Sequence, residues 1–215
     1  MKKHSRARGF SLVELLIVVA IILVVSALAL PSMARGITTI RLRGAAVTVA
    51  GMIQKARIEA VRTNRIMVLR QNTLNDGVTP VFWVDGAIPQ GSTTSSQNGR
   101  LDNFEPQAMI SKEVQLQFSG YPSFDSNALL GYTSTPSATP FNLAFNQRGL
   151  PCTPNSSTAA ITSCPLTGIS STSTSTSSYQ YFFKLHSTFG DQWASITVTP
   201  AGRVRTWVWN GANWF

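Results

Sequence analysis

A few residues in this chain have types and spacings that could do chemistry. Glu14 is a carboxylate inside the run 10–30, where Ser11 and Ser26 are the other two residues that are not apolar. If that run lies in a bilayer, an ionisable group within it costs on the order of 2.5–3.5 kcal/mol, so Glu14 needs a partner. Arg203 and Arg205 alternate along the β-rich run 203–209, which puts them on one face with Trp207 and Trp209 and puts Val204, Thr206 and Val208 on the other. Guanidinium groups at alternate strand positions can contact successive phosphates, and indoles offer stacking surfaces to unpaired bases. The alternative is that the indoles pack inward and leave the arginines on solvated surface. Cys152 and Cys164 bracket eleven residues and could close a disulfide or stay as free thiols. With His4 and His186 the only histidines, almost nothing is left for a metal site or a His-dependent dyad. No Ser–His–carboxylate set or Gly-x-Ser-x-Gly elbow can be assembled around His186, so no catalytic residue, metal or cofactor is expected, and the chain does not read as an enzyme.

These residues need elements to position them, and 215 residues are enough for one domain with an appendage. Charged residues are 13% of the chain, well under the usual share of about 25%, and Ser and Thr fill the gap. The net charge is +9 and its excess is N-terminal. Lys2, Lys3, Arg6 and Arg8 open the chain, residues 35–70 hold eight basic side chains against Glu59, and residues 71–215 hold six basic against seven acidic. A basic stretch ahead of the first apolar segment holds that end in the cytoplasm, which puts the rest of the chain outside it. As a helix, residues 10–30 would be about 31 Å long, the thickness of a bilayer core. The run is too long for a secretory signal peptide, whose apolar region is about 7–15 residues.

Beyond the apolar run, Pro31 is expected to kink the helix without ending it. Ala46, Val49, Ala50, Ile53, Ala56 and Ala60 then recur every three or four residues, a stripe that should lie on a sheet. Arg41, Arg43, Lys55, Arg57, Arg62 and Arg65 fall largely on the remaining faces, which reads as a solvated surface or as packing against acidic neighbours. After Asn64 the pattern changes to short β-rich runs at 66–69, 81–84, 114–118, 141–145, 179–185, 193–199 and 203–209. Turn signals separate them at Asp76-Gly77, Asp85-Gly86, Arg148-Gly149-Leu150-Pro151, Pro200-Ala201-Gly202 and Asn210-Gly211. The Ser/Thr-rich stretch 153–178 and residues 91–99 read as loops, and Asn155-Ser156-Ser157 matches a glycosylation acceptor. The cysteines lie in an oxidising location under this topology, so a Cys152–Cys164 disulfide is expected, worth about 3 kcal/mol in the chain-entropy model. The expected fold is α+β, a long N-terminal helix packed on an antiparallel β head. Residues 1–9 form a leader, 10–30 a transmembrane helix, 31–65 an amphipathic stem and 66–215 the head.

Gly9-Phe10-Ser11-Leu12-Val13-Glu14-Leu15-Leu16, behind a short basic leader and ahead of a long apolar run, resembles a type IV prepilin or pseudopilin N-terminus. The resemblance implies that a prepilin peptidase cuts after Gly9 and that the new amino terminus, Phe10, is methylated. It also implies that Glu14 meets the N-terminal amine of a neighbouring subunit during filament assembly, with other pilins or pseudopilins as partners. The head, through Phe145-Asn146-Gln147-Arg148-Gly149 and Thr199-Pro200-Ala201-Gly202-Arg203-Val204-Arg205, is similar to the GspH/FimT family of minor pilins. In its FimT branch a terminal Gly-Arg-x-Arg motif binds DNA in natural transformation, which here implies Arg203 and Arg205, with Arg148 as a helper. The resemblance therefore implies a minor pilin of the bacterial inner membrane, single-pass with a periplasmic head, that enters the pilus near its tip. The alternative is the H-type pseudopilin of a type II protein secretion system.

Overall fold

A computed structural model describes residues 11–86, 97–125, 129–130, 133–136, 143–154, 164, 177–188 and 190–215. Their contacts divide the chain into two compact units, Met1–Thr39 and Ile40–Phe215. The helix α1 is Leu12–Thr63 and continues through Pro31, as expected. In the first unit Glu14 stands in the first turn of α1, where the unpaired amides at the start of a helix favour a negative charge. The apolar side chains around it, Leu12, Val13, Leu15, Leu16 and Ile17, are exposed. Among the described residues no helix is long and apolar enough to cross a membrane. The side chains of residues 28–32, at the end of the apolar run, lie outside the described set.

The second unit carries the head. Asn64, at φ 53°, ends α1: Arg65 N–H donates to Ala60 C=O at 3.1 Å, closing the last turn where a left-handed residue is required. Among the described residues ten strands follow, β1 Met67–Thr73, β2 Pro80–Asp85, β3 Gln107–Met109, β4 Val114–Gln117, β5 Thr133–Pro136, β6 Leu143–Phe145, β7 Pro151–Cys152, β8 Ser177–Leu185, β9 Gln192–Val198 and β10 Val204–Val208. The antiparallel head is present, divided into two sheets. One runs β3-β2-β1-β6-β7; the other runs β10-β9-β8-β4, with β5 pairing in parallel beside the start of β8. All the other pairings are antiparallel.

Of the helix stripe, Ala46, Val49, Ile53, Ala56 and Ala60 are buried and join Leu42 and Ala45 in one core, while Ala50 is partly buried against it. Strand alternation supplies the opposing surface. Met67, Leu69, Phe82 and Phe145 come from the first sheet, and Phe183, Ala194, Ile196 and Val198 from the second, so both sheets bury their inner face on this core. On the opposite face of β1 and β6, Val68 and Ala144 pack with Cys152. On the opposite face of the second sheet, Phe182, Trp193 and Trp214 form an aromatic layer with Tyr121 and Phe124.

Several boundaries differ from expectation. β1 runs on to Thr73 because Arg70 to Thr73 stay paired with Trp83 to Pro80. The buried Arg70–Asp85 ion pair, at 2.9 Å, bridges the same two strands. The turn at Arg148 closes at Leu150, and Pro151 opens an edge strand, a position where its missing N–H costs no ladder bond. The Cys152–Cys164 disulfide is formed. Residues 141 and 142 of the run 141–145, and most of the loops 91–99 and 153–178 with Asn155, lie outside the described residues.

Candidate functional site

The C-terminal arginines sit on a β-hairpin whose register, Val204 opposite Val198 and Trp207 opposite Ser195, matches the expected alternation. Val204 packs against the main core. Thr206 and Val208 line a cavity of about 280 Å³ with Arg43, Ala46, Val47 and Phe215. Trp207 and Trp209 point to the other face and join the aromatic layer.

That second face is not an open stacking platform. Trp207 meets Phe124 edge-on at 5.7 Å, and its Nε1–H donates to Thr197 Oγ1 at 3.0 Å. Trp209 tilts against Trp214 at 5.4 Å, because the chain after β10 turns at Asn210 and comes back alongside the strand. Asn210 Oδ1 closes this turn by accepting from the amides of Ala212 and Asn213. Both indoles are half-buried and serve packing first. The Arg205 guanidinium lies 6.0 Å from the centre of the Trp207 ring, within cation–π range, and of the two arrangements the sequence allows the indoles adopt the packed one.

Arg203 belongs to the turn that precedes β10. Its loop, Pro200-Ala201-Gly202, is closed by Thr199 N–H donating to Arg203 C=O at 2.9 Å and by Gly202 N–H donating to Thr199 C=O at 2.7 Å. Thr199 Oγ1 accepts from Arg203 N–H, and Gly202 takes φ 77°, a backbone region that glycine enters without strain. The turn after β6 repeats this arrangement. Asn146 N–H donates to Leu150 C=O, Gly149 N–H donates to Asn146 C=O, Asn146 Oδ1 accepts from Leu150 N–H, and Gly149 takes φ 71°. Arg148 is exposed on this second turn, as Arg203 is on the first.

Arg57 joins the two turns. From α1 its Nε–H donates to Gly149 C=O at 3.0 Å, Nη1–H to Gly202 C=O at 3.0 Å and Nη2–H to Ala201 C=O at 3.3 Å. The sequence places Arg57 among surface cations, and nothing in its local pattern points to acceptors that are backbone carbonyls of distant turns.

The cations of the head differ in how they are compensated. Arg41 pairs with Glu113 at 2.6 Å, Arg62 with Glu59 at 2.7 Å and Lys184 with Asp191 at 2.6 Å. The Lys184 ammonium and His186 donate to the Asp191 carboxylate and hold it below the usual carboxylate range. Among the described residues no carboxylate pairs with Arg148, Arg203 or Arg205. Around the two turns the described residues leave this positive charge without a carboxylate partner.

At the other end of the chain, Glu14 is exposed in the first turn of α1, while Gly9 and Phe10 lie outside the described residues. The family description "prokaryotic N-terminal methylation motif" matches residues 4–30. No curated protein and no solved structure matches the chain. The methylation motif implies processing by a peptidase, membrane anchoring and assembly with other pilins. With a helix followed by antiparallel sheets behind it, that motif supports a type IV pilin-like protein with a structural, non-enzymatic role.

Proposed function

We propose that this chain is a minor type IV pilin of the GspH/FimT type that binds DNA through Arg203 and Arg205. In this reading residues 1–9 are a leader removed by cleavage after Gly9, and Phe10 becomes the methylated amino terminus. Residues 10–30 cross the inner membrane once with the N-terminus cytoplasmic, residues 31–65 form the stem, and residues 66–215 are the periplasmic head, later carried in the pilus near its tip. Glu14 is satisfied on assembly by the amine of a neighbouring subunit, since a carboxylate in hydrocarbon gains most from a charged partner.

The observation that carries the DNA-binding part is that, among the described residues, Arg203 and Arg205 have no carboxylate partner, with an indole within cation–π range of Arg205. Arginine suits phosphate because its planar donors match two oxygens at once. The test is DNA binding by the full chain in detergent micelles across a salt series, comparing wild type with Arg203→Ala plus Arg205→Ala. The double variant should lose most of the affinity and show a salt dependence shallower by about 0.9 per duplex phosphate contact removed. Binding that is indifferent to both arginines, or no binding at all, returns them to solvated surface and favours the H-type secretion pseudopilin.

The assembly half has its own test. Glu14→Ala should be cleaved after Gly9 at close to the normal rate yet be depleted from sheared filaments, scored by immunoblot. Normal incorporation would remove the role given to Glu14.

A further inference from the structure

We propose that Arg57 is a positioning residue for the anion-binding surface, locking the turn that carries Arg148 against the turn that carries Arg203; this inference rests on the DNA-binding reading above. Three donors of one guanidinium reach carbonyls of two turns that are separated in sequence from Arg57 by 92 and 145 residues. Those turns are built alike, each with a glycine at positive φ whose carbonyl faces Arg57. They also touch: a Cβ added to Gly202 would come within 2.9 Å of Gly149 C=O and within 3.1 Å of the Arg57 guanidinium. Glycine at both positions is what allows the close approach.

The consequence for binding follows from where the arginines sit. Arg148 immediately precedes Gly149 and Arg203 immediately follows Gly202, so each exposed arginine leaves the backbone one residue from a clamped glycine. Long side chains lose freedom when they bind, but their starting points are fixed in advance by the clamp. Such preorganisation lowers the cost of engaging phosphates with both arginines together. Arg57 is half-buried and its donors point at carbonyls, so its contribution is geometric and its own charge is directed into the fold. The planar fork matters, because lysine keeps the charge but gathers its donors on one atom.

The experiment measures DNA affinity of the full chain in detergent micelles for wild type, Arg57→Lys and Arg57→Gln, each also in an Arg148→Ala plus Arg203→Ala background. Thermal unfolding confirms that each variant is folded at the assay temperature. Both Arg57 variants should bind about fivefold more weakly than wild type, and neither should weaken the background further, since no positioned arginines remain to be misplaced. If Arg57→Gln does not fold, the lysine series alone decides. Wild-type affinity in Arg57→Lys, or an equal loss in both backgrounds, would overturn the positioning role while leaving the DNA-binding reading intact. Absence of binding by the wild-type chain would overturn that reading and this inference with it.

Discussion

The turn after β6 and the turn before β10 have the same backbone hydrogen bonds and a glycine at the same place, yet their sequences, Asn146-Gln147-Arg148-Gly149-Leu150 and Thr199-Pro200-Ala201-Gly202-Arg203, share little else. In each, a side-chain oxygen on the first residue accepts an amide of the turn, and a glycine in fourth place takes the left-handed conformation. A residue with a short polar side chain and a glycine three positions on are what the two loops share. What differs is the surroundings of the glycine. A Cβ added to Gly149 would come within 2.9 Å of the Val61 side chain and 3.3 Å of Arg57; one added to Gly202 would come nearest to a backbone carbonyl, that of Gly149. A valine methyl on a helix can give by a small shift or a less favoured rotamer, whereas a carbonyl held by Arg57 cannot move without the turn that carries it. The comparison teaches that one backbone motif can have very different tolerance to change, according to whether side chain or main chain fills the space behind it.

The sharpest way to break the comparison is to add one methyl group at each site. Gly202→Ala should destabilise the head by about 3 kcal/mol, combining left-handed strain with a main-chain clash that separates the turns. Gly149→Ala bears the same strain but meets the Val61 side chain and no main chain, so a smaller loss of about 1.5 kcal/mol is expected. Chemical unfolding of both variants checks the order, and equal losses would mean that the two glycines sit in equivalent surroundings after all. A smaller effect should separate the first residues. Asn146→Ala removes acceptors for the amides of Arg148 and Leu150, and Thr199→Ala removes the acceptor for Arg203 alone. Losses of about 1 and about 0.5 kcal/mol are expected, measured by the same unfolding curves, with the asparagine variant the less stable.

Much of this architecture was legible in the sequence because it depends on local periodicity. The stripe from Ala46 to Ala60 predicts the buried face of α1, and alternation in 203–209 predicts which side chains of β10 face the core. The cysteines paired as the loop between them suggested. Periodicity does not encode which strands become neighbours, and so the division into two sheets was not legible. Short edge strands such as β3 and β7 carry too few residues to alternate. Trp207 and Trp209 were placed on the correct face, but what covers them, Phe124 and Trp214, comes from elsewhere in the chain. Arg57 was the least legible, since a cation on a helix beside other cations looks solvated until distant carbonyls are brought to it.

The edges of the first sheet have a consequence for how these molecules meet one another. An open strand edge is a template on which a second chain can hydrogen-bond, and crowded proteins that expose one tend to aggregate. Here the sheet is bounded by β3, three residues long, and by β7, two residues long, of which the first is a proline and the second is tied into a disulfide. Neither offers the run of free amides and carbonyls that sheet-to-sheet fusion needs. Heads that meet at these two edges can then touch through side chains, so contact there need not turn into irreversible β-pairing.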